Sequence, residues 1–119
     1  MATIASIIAT VNGSQTVART ALTGADDLIV NAGVNQTLVL ENTGVATPTI
    51  NILGDQATTI TCNGVGDPID VSGGYDISMA AGEVVTLYIA SISAFTNDSA
   101  NTPAVTGGTA DVVAYIIER

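Results

Sequence analysis

The groups best able to do chemistry are carboxylates, and they are densest around GDPID (66–70), which supplies Asp67 and Asp70, with Asp76 and Glu83 following. Two carboxylates and several backbone carbonyls in one loop are the hard oxygen donors that a calcium ion accepts. A pair of carboxylates at the right separation can also act as general acid and base on a glycosidic bond. The spacing in GDPID matches no defined calcium loop, and sugar hydrolysis usually draws on aromatic platforms, of which the chain offers only Tyr75, Tyr88, Phe95 and Tyr115. The plainer reading stands ahead of both: solvated turn carboxylates, with no metal and no cofactor. Asp26 and Asp27 are adjacent, but successive strand residues point to opposite faces, so a strand extended over them would keep them from converging.

Other chemistries lack their residues. The chain has no histidine and no lysine, so a serine nucleophile has no ordinary base to take its proton. One cysteine without histidines falls short of a zinc site, and no dinucleotide fingerprint, phosphate loop or HExxH motif occurs. The expectation is therefore a protein that is not an enzyme. Cys62, in TTITCNG, reads as a buried structural thiol at the inward end of a strand, because no neighbouring cation would lower its pKa. A single cysteine also cannot close a disulfide within the chain.

Eleven carboxylates against Arg19 and Arg119 leave a net charge of −9 over 119 residues. Phosphate backbones are repelled by such a surface, and two arginines cannot build a basic stripe, so nucleic acid is not an expected partner. Attraction to anionic lipid fails for the same reason. The N-terminal MATIASIIATV lacks a positive region and a continuous apolar run, so neither an export signal nor a membrane anchor is expected. Arg19 is read as half of a plain exposed pair worth little, the alternatives being a carboxylate on a neighbouring strand or one across a subunit contact.

The elements that would carry these side chains are short strands. Val, Ile, Leu and Thr dominate, and turn signals punctuate them every eight to twelve residues, the pattern of an all-β antiparallel sandwich. Segments 3–11 and 15–22 flank Asn12-Gly13, a hairpin-turn dipeptide, and predict a first hairpin; residues 1–14 then form an arm or a hairpin strand of one domain spanning 1–119. Strands follow at 27–32, 36–42, 49–53, 58–62, 69–71, 75–79, 84–91 and 110–118, with Ala81-Gly82-Glu83 as a hairpin corner and 96–103 as an exposed loop. Apart from the first hairpin these make a sandwich of about eight short strands, and either immunoglobulin-like or jelly-roll-like order fits. The last strand is unusual in being apolar on both faces: Val112, Ala114 and Ile116 alternate with Val113, Tyr115 and Ile117, so one set faces the core and the other needs cover. That cover is either the N-terminal segment or the long loop, or else another subunit. Ile4, Ile7, Ile8, Val112, Ala114 and Ile116 are the candidate interface residues.

LVLENTGVATPTINILGD (38–55), VSGGYDISMAAGEVVTLYIASISAF (71–95) and GGTADVVAYIIER (107–119) resemble the small β-sandwich virion proteins of tailed bacteriophages. The likeness lies in the Asn-Thr-Gly and Gly-Glu corners and the apolar last strand after Gly-Gly. The resemblance implies a capsid decoration, or cement, protein that assembles in the host cytoplasm. It would bind the outside of the head in many copies, with the major capsid protein as partner, and as a homo-oligomer, a trimer first. A tail, neck or fibre-associated protein and an immunoglobulin-like module of a bacterial surface protein are the alternatives. No catalytic residue is carried over, since such proteins act through whole surfaces.

Overall fold

The computed structural model describes residues 2–8, 18–31, 33–61, 64 and 66–119. Its strands are β1 (Ser6–Ile8), β2 (Thr20–Ala21), β3 (Ala25–Asp27), β4 (Gln36–Asn42), β5 (Thr49–Leu53), β6 (Thr59–Ile60), β7 (Ile69–Asp70), β8 (Tyr75–Ser78), β9 (Val84–Tyr88), β10 (Ala104–Thr106) and β11 (Val112–Glu118), with one 3-10 turn at Ile89–Ile92. The protein is all-β, as the alternation of its sequence predicts.

Two sheets face each other. One has the order β1-β11-β4-β9, with β2 also on β11, and the other is β3-β10-β5-β8; β6 and β7 form a separate small hairpin. The pairings β2 with β11, β3 with β10, β4 with β9 and β5 with β8 are all antiparallel and nested, as if one long hairpin had been rolled up on itself. Cross-pairings of β4 with β11 and of β5 with β10 close the roll. This is the strand order of a jelly roll rather than of an immunoglobulin sandwich.

The core lies between the sheets. Leu38 and Leu40 of β4, Ile50 and Ile52 of β5, Val105 of β10, and Val112, Ala114 and Ile116 of β11 are all fully buried in it. Alternation puts every second residue of a strand on this side, and each of these side chains adds about 1.5–3 kcal/mol of burial where it is Val, Leu or Ile. Asn42 terminates β4 in a way the chain depends on: its Nδ2 donates to Ala46 O and Ala80 O at 2.8 and 3.1 Å, while its Oδ1 accepts from Gly44 N–H at 3.1 Å. The Asn-Thr-Gly corner is thus held by a buried amide with every bond satisfied.

The strand expected at 27–32 is instead β3 at Ala25–Asp27, and three further local expectations are revised. First, the described parts of the N-terminal region do not pair as a hairpin. Residues 2–4 bond to β3, through Asp27 N–H to Ala2 O and Ile4 N–H to Asp27 O, each 2.9 Å. The chain then crosses to the other sheet, where β1 runs parallel to the end of β11 and β2 antiparallel to its start. A strand that changes sheets closes the side of the sandwich, and Ile4 at the crossing is buried; Asn12-Gly13 lies outside the described residues. Second, the strand expected over 84–91 ends at Tyr88. Ile89 and Ile92, three apart, both bury in a 3-10 turn, whose Ser91 Oγ donates to Tyr88 O at 2.6 Å. Third, β10 has no counterpart among the expected strands. It is three residues long with one inward side chain, too short for alternation to register, yet it sits centrally between β3 and β5.

Candidate functional site

The carboxylates that the sequence singles out are held mostly by bonds close to them in the chain or on a neighbouring strand. Asp70 turns back on its own chain, with its Oδ1 accepting from Ser72 Oγ at 2.6 Å and Ser72 N–H at 2.9 Å. Those bonds, the hydroxyl foremost, hold its pKa below the usual value. Asp76 accepts from Asn51 Nδ2 at 2.8 Å, and Glu83 accepts from Ala80 N–H at 3.3 Å, closing the turn that Gly82 makes with its φ of +73°. Asp67 is exposed. Among the described residues no three carboxylates gather in a way that could hold a metal ion. Each carboxylate of this group with an assigned bond is spent on its own turn or its neighbouring strand.

Asp26 and Asp27 diverge as strand neighbours must. Asp27 lies on the outer side of β3, whereas Asp26 points inward and is 1% exposed. Burial alone would raise the Asp26 pKa, but its bonds outweigh that and lower it: Thr23 N–H at 2.8 Å, Thr23 Oγ1 at 2.7 Å and Ala2 N–H at 3.1 Å all donate to it. Asp26 thereby fastens the N-terminal segment to β3. A second buried polar group was missed by sequence reasoning. Glu118, at the end of β11, accepts from Gln36 Nε2 and Asn31 Nδ2, both at 2.9 Å, and Gln36 Nε2 also donates to Ile29 O at 2.8 Å. The signal was the polar residue closing each of two apolar strands at paired positions, Gln36 opposite Glu118.

The loop 96–103 is less exposed than its composition suggests. Asp98 accepts from Asp55 N–H at 2.9 Å and from Ala100 and Thr102 N–H at 3.1 Å, which lowers its pKa with the Asp55 bond as the largest cause. Asp55 in return accepts from Ser99 N–H and Oγ at 2.8 and 2.7 Å. Beside this loop is an open cleft of about 450 Å³, lined by Gln56, Thr58, Thr59, Asn97, Asp98 and Asn101 among others. It mixes the apolar side chains of Val30, Ala57, Ile60 and Ala94 with amides and hydroxyls, and its one carboxylate is engaged in holding the loop. Cys62 lies outside the described residues.

What remains as a candidate site is a surface. Of the six candidate interface residues, Val112, Ala114 and Ile116 are 0% exposed and Ile4 is 1% exposed, so the core between the sheets claims these four side chains. The assignment of faces on β11 is therefore reversed: the outer set is Val113, Tyr115 and Ile117, each half-buried. Ile7 sits on that outer face opposite Ile117; Ile8 pairs through its backbone with Glu118, and its side chain lies outside the described residues. Register extends the face across the sheet through Ala21 of β2, Thr37, Val39 and Glu41 of β4, and Val84, Thr86 and Tyr88 of β9. Val39 is only 5% exposed because Tyr115 and Thr86 flank it on the adjacent strands, whereas Val84 and Tyr88 are 55% and 47% exposed.

Charge separates this face from its opposite. Within these strands Glu41 is the one carboxylate pointing outward, and Arg19 pairs with it at 3.1 Å, as the sequence anticipated. The outer side of the other sheet carries Asp27, Thr49, Asn51, Thr106, Asp76 and Ser78 beside Ala25, Ala104 and a half-buried Leu53, a mostly polar surface with two carboxylates. One sheet thus presents a nearly neutral, apolar face and the other an ordinary solvated one. The chain matches no family model, no curated protein and no solved structure in comparison with each.

Proposed function

We propose that this chain is a decoration protein of a tailed-bacteriophage head, binding the outside of the assembled shell and bracing contacts between major capsid subunits. The observation that carries the reading is the outer face of the β1/β2-β11-β4-β9 sheet. It combines Ile7, Val113, Tyr115, Ile117, Val39, Val84 and Tyr88 with a single neutralised charge pair, on a chain whose net charge is −9. An apolar area of this kind is the mark of a surface that meets a partner, and the acidic remainder keeps free copies soluble and apart. Jelly rolls are common in viral capsid and lectin domains. Fold by itself does not select a function, so the weight rests on the face and on the resemblance of its corners to those of virion proteins.

The test is sedimentation of purified capsids lacking this chain after mixing with it, with bound copies counted by quantitative mass spectrometry. Saturation at a simple ratio to the capsid subunits supports decoration. A Val113→Glu, Ile117→Glu double variant that folds normally should then lose binding, because it places charge at the centre of the face. A few copies per particle would indicate a tail, neck or fibre component instead, and no binding would overturn the reading.

A further inference from the structure

We propose that β9 is a self-pairing edge, and that two copies of this chain join through antiparallel β9 strands into one continuous sheet across a two-fold axis at Thr86. This pairing does not depend on what the outer face binds. Among the described residues β9 pairs on one side only, with β4. Its register continues to Asn42 N–H, which donates to Glu83 O at 2.9 Å. In an antiparallel ladder the backbone groups of alternate residues point to alternate sides. Glu83, Val85 and Leu87 therefore turn their backbone groups toward β4, and Val84, Thr86 and Tyr88 turn theirs to the free edge.

Sheet edges are normally blunted by lysine, proline, an inward charge or a bulge, and VVTLY has none of these. The other edges differ. Asp76 sits within β8, and residues 2–4 cover the edge of β3. β1 and β2 are three and two residues long.

The sequence of β9 complements itself. With the axis at Thr86, Thr86 lies opposite Thr86 of the second copy, Val84 opposite Tyr88, and Val85 opposite Leu87. The outward-turned groups of the two Thr86 residues then exchange both of their bonds, and on either side Tyr88 N–H of one copy meets Val84 O of the other. The Tyr88 carbonyl takes no part in the ladder, since it caps the 3-10 turn and accepts the Ser91 hydroxyl as well. Valine against tyrosine and threonine against threonine are favourable cross-strand neighbours. On the inner side, Val85 and Leu87 are only half-buried at the rim of the core; pairing sets Leu87 of one copy beside Val85 of the other and covers both.

Charge, which opposes association of an acidic chain, is placed harmlessly here. Glu83 of one copy falls opposite Ile89 of the other, so the two Glu83 residues stand six positions apart. At about 3.4 Å per residue that is about 20 Å, roughly twice the screening length in ordinary buffer. A closed two-fold pair differs from the trimer that the resemblance implies.

Sedimentation equilibrium of the full chain, from micromolar to millimolar concentration, reads the outcome. A concentration-dependent species of twice the chain mass is expected. Thr86→Pro should return it to a monomer, because the lost N–H faces the edge and not β4. Thr86→Lys should do the same by setting two ammonium groups opposite each other about 5.5 Å apart between Cα atoms. Circular dichroism checks that each variant folds; if the proline variant does not, the lysine variant decides. A wild-type chain that stays monomeric, forms trimers, or dimerises undiminished in the folded variant would overturn the proposal.

Discussion

Asp26 offers the sharpest test of how this fold is held. Its carboxylate is buried and receives Ala2 N–H, Thr23 N–H and Thr23 Oγ1 at 3.1, 2.8 and 2.7 Å. The Thr23 hydroxyl has a second acceptor in Ala25 O at 3.3 Å, so Asp26→Ala chiefly orphans the two backbone donors. Hydrogen bonds to a charged acceptor contribute about 1.5–3 kcal/mol each, which puts the loss of two at about 3–6 kcal/mol. Asp26→Asn keeps one acceptor oxygen but turns an amide NH₂ toward one of the donors, and should cost about 1–3 kcal/mol. The pH dependence has a definite sign. The folded pKa lies below the unfolded value of about 3.9, because the bonds from Thr23 and Ala2 outweigh the upward push of burial. The stabilisation is therefore complete above the unfolded pKa and is lost as pH falls through the folded one. Urea unfolding of wild type and Asp26→Asn from pH 7 down to pH 2 should show a gap that is constant near neutrality and narrows below about pH 4. A gap that is absent at pH 7, or that persists undiminished in acid, would refute the role assigned to this carboxylate.

Two further outcomes follow from backbone geometry and charge. Gly107 has φ +84° and a Cβ there would overlap Thr49 O, whereas Gly82 has φ +73° with open space around it. Gly107→Ala should cost about 3–5 kcal/mol and Gly82→Ala about 1–2 kcal/mol, both measured by urea unfolding; equal costs would show that the contact with β5 is unimportant. At a net charge of −9, self-repulsion is screened by salt, so the melting midpoint should rise with added NaCl. The exposed Arg19–Glu41 pair loses strength under the same screening but is worth less than about 1 kcal/mol. A midpoint falling steadily with salt would contradict the repulsion argument.

Local chemistry is legible in the chain because its causes are local. Strands β4 and β5 lie at 36–42 and 49–53 as alternation predicts, since Leu38, Leu40, Ile50 and Ile52 each have polar neighbours that mark the outer side. The corner at Ala81-Gly82-Glu83 was readable too, because a positive φ favours glycine wherever the turn sits in the fold. The candidate surface was only half readable. Period-two alternation divides β11 into two sets, but when both are apolar nothing in that strand says which faces inward. That choice is made by the partners: Leu38 and Leu40 of β4 pair with Ile116 and Ala114 and take them into the core.

Strand order belongs to the tertiary structure for a related reason. The nested pairs β2 with β11 and β3 with β10 join segments far apart in sequence, and the same run of short strands suits an immunoglobulin or a jelly-roll order equally well. Residues 2–8 likewise alternate like any strand, and only the positions of β3 and β11 make them bridge the two sheets. Glu118 reads as an ordinary strand end until Gln36 and Asn31 are brought to it. Composition and alternation determined the β class, the acidic surface and the turns, because each depends on residues near one another in the chain. Which apolar face is core, which is surface, and which edge is left unpaired among the described residues were decided by long-range pairing.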